Sequence, residues 1–141
     1  MKKYKLGYTQ GVFDMFHIGH LRLINHAKAY CDRLIVGVNS DELVRKYKHK
    51  DTVIKENERA EIVRNVKAVD ECVIVNVLDK VEIYEKLGFD AVFIGDDWYG
   101  NPRWMHTQKD LAEKGVDVIF LPHTEGVSSS LLRMQAEKRI I

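Results

Sequence analysis

Tyr4-Lys5-Leu6-Gly7-Tyr8-Thr9, broken at Gly11 and followed by His17-Ile18-Gly19-His20-Leu21-Arg22-Leu23-Ile24, is the stretch that decides the fold. Its first half begins with the apolar and aromatic alternation of a strand. Beyond Gly11, Leu21, Leu23, Ile24, Ala27 and Ala29 recur at helical spacing. A strand therefore hands over to a helix near residues 16 to 19. Free amides and the positive dipole end at such a helix start favour an anion, and Gly19 lets a ligand approach the backbone closely. His17 and His20 fall on the same side of the first turn, where both imidazoles can donate to one anion. The competing structural readings are capping or packing by His20 and a solvated loop position for His17.

Outward from this turn, apolar runs at Leu34 to Val38, Val73 to Val77, Ala91 to Ile94 and Val118 to Leu121 read as further strands. The stretches about Ile18 to Tyr30, Ser40 to Lys46, Asn57 to Val66, Lys80 to Leu87, Pro102 to Lys114 and Ser128 to Glu137 read as helices. Alternation of this kind implies a parallel sheet. The expected fold is a single α/β domain over 1–141, Rossmann-like and doubly wound, with about five parallel strands. Its ligand belongs beyond the strands' C-terminal ends, near the topological switch. Asp14 and His17, at the end of the first strand, fit that location.

A chain of 141 residues is long enough for one proper core, and 45% hydrophobic with 30% charged residues excludes a disordered class. The net charge of +1 gives no general reason to expect a nucleic-acid or membrane partner, although Arg45, Lys46, Lys48 and Lys50 cluster locally. Cys31 and Cys72 lie far apart with no C-x-x-C, and Met1-Lys2-Lys3 leads into a short strand, so a reducing, cytoplasmic setting is expected. No cysteine pair or third carboxylate joins His17, His20 and His26 at ligand spacing, and no protein-held metal is expected.

Three more stretches end at the same sheet edge. Gly95-Asp96-Asp97-Trp98 follows a strand, and its carboxylates suit a metal bridging phosphates, substrate hydroxyls or a capped turn. Trp98 and Trp104 offer aromatic surface for a base or acceptor, or core packing. Thr124-Glu125-Gly126-Val127-Ser128-Ser129-Ser130 places hydroxyls and amides at a helix start, a second anion cradle in which one serine is a helix cap. Tyr47-Lys48-His49-Lys50 reads as a basic loop able to close over a triphosphate or as a solvated charge run, and Arg59 carries a bidentate fork for phosphate.

Taken together, Gly11-Val12-Phe13-Asp14, His17-Ile18-Gly19-His20, Glu58-Arg59, Val69-Asp70-Glu71, Gly95-Asp96-Asp97-Trp98 and Thr124-Glu125-Gly126-Val127-Ser128 resemble the cytidylyltransferases, most closely those acting on glycerol 3-phosphate. H-x-G-H is shared with the wider nucleotidyltransferase superfamily, whereas T-E-G-[IV]-S is more specific. The resemblance implies joining of CMP from CTP to a small alcohol phosphate with release of pyrophosphate, and Mg²⁺ accompanying CTP. It implies that His17, His20, Lys48, Lys50 and Arg59 serve the phosphates. Gly11, Val12, Phe13, Asp14, Gly19, Asp96, Thr124, Gly126, Ser128 and Ser129 would then hold the nucleotide, and Lys67, Asp70, Asp97 and Trp98 the acceptor. It also implies a homodimer.

The departures from that pattern bear on substrate. Val12 stands where the glycerol-phosphate enzymes carry threonine, as in the phosphocholine and phosphoethanolamine enzymes. His123 replaces the arginine ahead of T-E-G, and Lys67 keeps charge but loses the fork of another arginine. An ATP-using adenylyltransferase and a silent nucleotide-binding module are the competing functional readings.

Overall fold

The computed structural model describes residues 3–95 and 99–122. Five parallel strands, β1 (Tyr4–Gly11), β2 (Cys31–Asn39), β3 (Glu71–Val75), β4 (Ala91–Gly95) and β5 (Asp117–Leu121), form one sheet in the order β3-β2-β1-β4-β5. Between them run α1 (Ile18–Ala29), α2 (Asp41–Lys48), α3 (Glu56–Arg64), α4 (Lys80–Leu87) and α5 (Pro102–Glu113). The Rossmann-like expectation holds.

Local chemistry fixes the helix starts. Ser40 caps α2 through Leu43 N–H, Asp79 caps α4 through Val81 and Glu82 N–H, and Asn101 caps α5 ahead of Pro102. Gly88 ends α4 in the left-handed region, φ 70°.

Ile24 and Ala27 of α1 and Ala60 and Val63 of α3 pack with Leu34, Val36 and Val38 on one face of the sheet. Ile83 of α4 and Trp104 and Leu111 of α5 pack with Tyr8, Ile35 and Val92 on the other. The sheet is thus wound on both faces, and its strand order reverses between β1 and β4. All strands being parallel, Gly11, Asn39, Val75 and Gly95 end at one shared edge.

Two strands differ most from the sequence reading. β2 starts at Cys31 because Tyr4 pairs with Cys31, although Asp32 and Arg33 interrupt the apolar pattern. β3 lies at the rim of the sheet, pairing Ile35 with Glu71 and ending at Val75, two residues before the expected end. There the chain turns, as Val75 C=O accepts from Ser40 N–H. Trp104 is core, and the helix expected over Ser128 to Glu137 lies outside the described residues.

Candidate active site

The loop from β1 to α1 is held in an unusual shape. Phe13 and Met15 take positive φ, 55° and 49°, a region few residues other than glycine occupy. Phe13 is nonetheless buried, and between the two strained residues Asp14 accepts Val53 N–H at Oδ2 (2.8 Å) and Ile54 N–H at Oδ1 (2.9 Å). Packing and hydrogen bonds together over-determine the strained turn, as happens where a loop must present groups in one geometry.

That turn delivers His17 as the N-cap of α1. Its Nδ1 accepts Gly19 N–H at 3.1 Å, while His17 N–H donates to His20 Nδ1 at 3.2 Å. Two imidazoles thus perform the reciprocal capping usually done by a hydroxyl and a carboxamide or carboxylate. A neutral imidazole has one donor and one acceptor nitrogen, so occupation of both Nδ1 atoms as acceptors puts the proton of each ring on Nε2. The rings stack at 3.8 Å between centroids, and Phe13 and Phe16 wall His20 at 5.3 and 5.4 Å. Burial, then the field of His17, pull His20 down to about 4 against the opposing pull of Asp14. Burial also lowers His17. Both rings are therefore neutral donors at pH 7, and capping and ligand donation coexist in one pair.

Arg59 frames the site from behind. Its side chain is fully buried, with Nε donating to Ile54 C=O, Nη1 to Val12 C=O and Asn39 C=O, and Nη2 to Asp41 Oδ1 at 2.6 Å. The guanidinium ties the ends of β1 and β2 to the start of α3 and has spent four of its five donors. The guanidinium thereby positions the ends of both strands, and the phosphate contact expected of it rests on the one donor that remains. Burial would raise Asp41, but hydrogen bonds from Arg59, Thr52 and the Glu56 amide hold it below the usual carboxylate value. Asp41 N–H donates to Glu56 Oε1 and Glu56 N–H to Asp41 Oδ2, joining the starts of α2 and α3.

Lys48 closes α2, and His49 follows as a left-handed cap, φ 56°. Partial burial and then Lys50 lower Lys48, while Asp14 raises it, so its ammonium lies within the field of the β1–α1 turn. The basic segment and the imidazole pair share one edge of the sheet. Lys50 is exposed, next to Lys48 in electrostatic terms.

The remaining expected contacts divide by place. Gly11 closes β1 against the Phe13 ring, Val12 accepts from Arg59, and Gly19 commits its amide to His17. Lys67 and Asp70 enter β3 and so stand at the opposite edge of the sheet. There Asp70 Oδ2 accepts Leu34 N–H at 2.8 Å and pairs with Lys28 at 2.6 Å. The length of β3, about 15 Å at the usual rise, lies between Asp70 and the strand ends. Asp96, Asp97, Trp98, His123, Thr124, Gly126, Ser128 and Ser129 lie outside the described residues.

Sequence reasoning missed a polar chain at the ends of β1 and β2. Tyr8 O–H donates to Gln10 Oε1, Gln10 Nε2 donates to Asn39 Oδ1 (2.8 Å) and Val77 C=O (3.1 Å), and Asn39 Nδ2 donates to Tyr47 Oη. Gly37 makes room for the Tyr8 hydroxyl, which any Cβ there would strike. The available signal was a carboxamide at or next to the end of each strand, after apolar runs that gave no reason for one.

A strained turn presenting neutral ring donors lies with Lys48 at the switch point of a parallel sheet, an arrangement whose chemistry suits a phosphorylated ligand. The sequence model of the cytidylyltransferase-like proteins matches residues 8–135. The chain belongs to the cytidylyltransferase-like family. This cytidylyltransferase-like chain is 33% identical over 126 residues to glycerol-3-phosphate cytidylyltransferase of Bacillus spizizenii, covering 89% of its own length and 92% of that protein. It is 35% identical over 129 residues to FAD synthase of Korarchaeum cryptofilum, with 87% and 86% covered. To the bifunctional protein HldE of Hyphomonas neptunium it is 33% identical over 135 residues, and it spans 27% of that relative's length. Among solved structures, a lipopolysaccharide core biosynthesis protein from Thermoplasma volcanium superposes with a TM-score of 0.71 at 23% identity, covering 86% of this chain and 97% of that one. Pantothenate synthetase from Thermus thermophilus gives 0.70 at 15%, covering 99% and 65%. These two share the fold.

Proposed function

We propose that this chain transfers CMP from CTP to a small alcohol phosphate, glycerol 3-phosphate first, releasing pyrophosphate. The observation that carries the reading is the imidazole pair whose Nδ1 atoms are both engaged, leaving two Nε2–H donors at the phosphate end of the fold. A phosphomonoester oxygen attacks the α-phosphorus; one P–O bond forms to the acceptor and the bond to the leaving pyrophosphate breaks. The attacking oxygen is already anionic, so no side chain need remove a proton. His17 and His20 donate to oxygens on which charge builds, and Lys48 offsets repulsion between the two anions.

Mg²⁺ fits this reading as the companion of the triphosphate. Among the described residues no three ligating side chains come together, so the ion would rest mainly on phosphate oxygens. When bound it supplies charge neutralisation to the leaving group.

The full-length similarity to glycerol-3-phosphate cytidylyltransferase supports the acceptor. Comparable similarity to an FAD synthase, whose named product is an adenine dinucleotide, supports ATP as the second reading. Pyrophosphate release with Mg²⁺ and each nucleoside triphosphate, against glycerol 3-phosphate, phosphoethanolamine, phosphocholine and FMN, decides between them. Release with CTP and glycerol 3-phosphate is expected. Release with ATP alone overturns the cytidine assignment, and none with any pair leaves a silent nucleotide-binding module. The homodimer belongs to the same proposal, and light scattering reads it directly.

A further inference from the structure

A proton is left over at the end of the polar chain on the strand exits. The polarity of that chain is set by Val77 C=O, which can only accept, so the Gln10 atom facing it at 3.1 Å is Nε2 and the carboxamide cannot be turned over. Gln10 Oε1 consequently faces Tyr8, whose buried O–H donates to it at 2.7 Å. Nε2 also donates to Asn39 Oδ1 at 2.8 Å, which turns Asn39 Nδ2 towards Tyr47 Oη at 3.0 Å. An amide nitrogen offers no lone pair, so Tyr47 accepts there and its own proton points elsewhere. Among the described residues no acceptor takes that proton.

The base that aims this hydroxyl is rigid. Asn39 is buried at the end of β2, and its C=O accepts Arg59 Nη1 at 2.8 Å. Tyr47 itself lies half-buried on the last turn of α2, and Lys48 Nζ stands 5.7 Å from the centre of its ring. Burial holds the phenol above its ordinary value, so the hydroxyl keeps its proton at pH 7. A directed neutral donor and a mobile point charge therefore stand side by side at the edge where a phosphorylated ligand belongs. The ammonium supplies attraction with little direction, and the fixed O–H supplies the direction.

We propose that Tyr47 is a substrate-contacting residue whose O–H donates to a phosphoryl oxygen drawn in by Lys48, and that Gln10 and Asn39 are the positioning residues that aim it. The inference rests on the transfer reading above and adds to it a donor from α2 beside the imidazoles of α1. The oxygen belongs either to the nucleotide or to the phosphomonoester acceptor, and separate titrations tell the two apart.

Tyr47→Phe deletes the proton and keeps the ring. Its kcat/KM for pyrophosphate release should fall about tenfold or more, the cost of one hydrogen bond to a charged group, with Tm within a few degrees of the parent. Calorimetric titration of CTP and of glycerol 3-phosphate, each alone, then names the source of the oxygen by whose Kd rises. Asn39→Asp separates donation from anchoring. A carboxylate there still holds Tyr47, but only by taking its proton, so activity should fall as far as in Tyr47→Phe and the double variant should fall no further. para-Aminophenylalanine at position 47, which keeps a donor, should recover most of the activity, and it decides alone should the buried carboxylate prevent folding. Full activity with unchanged binding in Tyr47→Phe overturns the proposal. Full activity in Asn39→Asp beside a loss in Tyr47→Phe also overturns it, as does a failure of para-aminophenylalanine to restore activity, because Tyr47 would then only anchor α2. Weakened binding of either phosphate by Tyr47→Phe, in a protein that releases no pyrophosphate, keeps the donor and discards the transfer reading.

Discussion

Neutral imidazole is an economical anion donor at this turn, since an imidazolium pair stacked at 3.8 Å would repel itself. His17→Asn separates the two jobs of the ring. Asparagine is among the best N-caps, so α1 keeps its start, but the Nε2–H donor is gone. The variant should lose about 10²–10³ in kcat, the usual cost of one charge-stabilising donor, with Tm nearly unchanged. His17→Ala should lose the same activity and in addition about 1 kcal/mol of stability. A parallel loss of stability in the asparagine variant would return His17 to a packing role. The same neutrality sets a pH signature. His20 titrates at about 4 folded and near 6.5 unfolded, so as pH falls the unfolded chain takes up the proton first. Its contribution is complete above about 6.5 and disappears toward 4, a span worth up to about 3 kcal/mol. Urea midpoints should therefore drop between pH 7 and 5, and His20→Gln should flatten that drop. The depressed Asp41 and Asp70 give stability that is complete above the ordinary carboxylate value and is lost only as pH falls below it, so they leave this window clear.

Between elements, the side chain that matters most is Arg59, because its donors close on backbone carbonyls from three different segments. Arg59→Met would leave Val12, Ile54 and Asn39 carbonyls and the Asp41 carboxylate without their donor. Breaking such a buried pair costs ~3–5 kcal/mol, which should lower Tm by about 10 °C or more. Arg59→Lys should recover little of it, since one ammonium cannot replace the fork. If Tm held while only the KM for nucleotide rose, Arg59 would be a ligand after all. The contrast with His17 shows what a sequence discloses. Periodicity and spacing put both imidazoles on one helix start, and that placement is what the structure has. Arg59 was visible as a cation beside a helix start, but its partners are mostly main-chain oxygens, which no residue type reveals. Lys67 and Asp70 show a different limit. Motif order along a chain does not say at which end of a parallel strand a motif falls, and here it falls at the entrance of β3, where Asp70 anchors Leu34.

Across the whole molecule, parallel pairing gathers the exits of all strands at one edge and the reversal of strand order between β1 and β4 opens the crevice there, while the entrances are occupied by structural bonds such as Tyr4 Oη to Asp117 and Asp70 to Lys28. Ligand binding should therefore be felt at one edge only. Amide hydrogen exchange, compared with and without saturating CTP and Mg²⁺, should slow over residues 11–20 and 48–55, because Asp14 couples the two segments through Val53 and Ile54. Residues 65–70, at the opposite edge, should keep their rates. The same saturation should raise stability by mass action, about 2.7 kcal/mol at a hundred times Kd. Asp14→Asn supplies the control. An asparagine oxygen can still accept from one of the two amides but its NH₂ cannot accept from the other, so the segments should uncouple. Protection at 48–55 should fall in that variant while protection at 17–20 persists. Slowing confined to residues 65–70 would place the nucleotide at the strand entrances and require a site built on Lys67 and Asp70 instead. Protection at both edges would mean that a second copy brings its own strand entrances to the crevice, a geometry that the concentration dependence of exchange would expose.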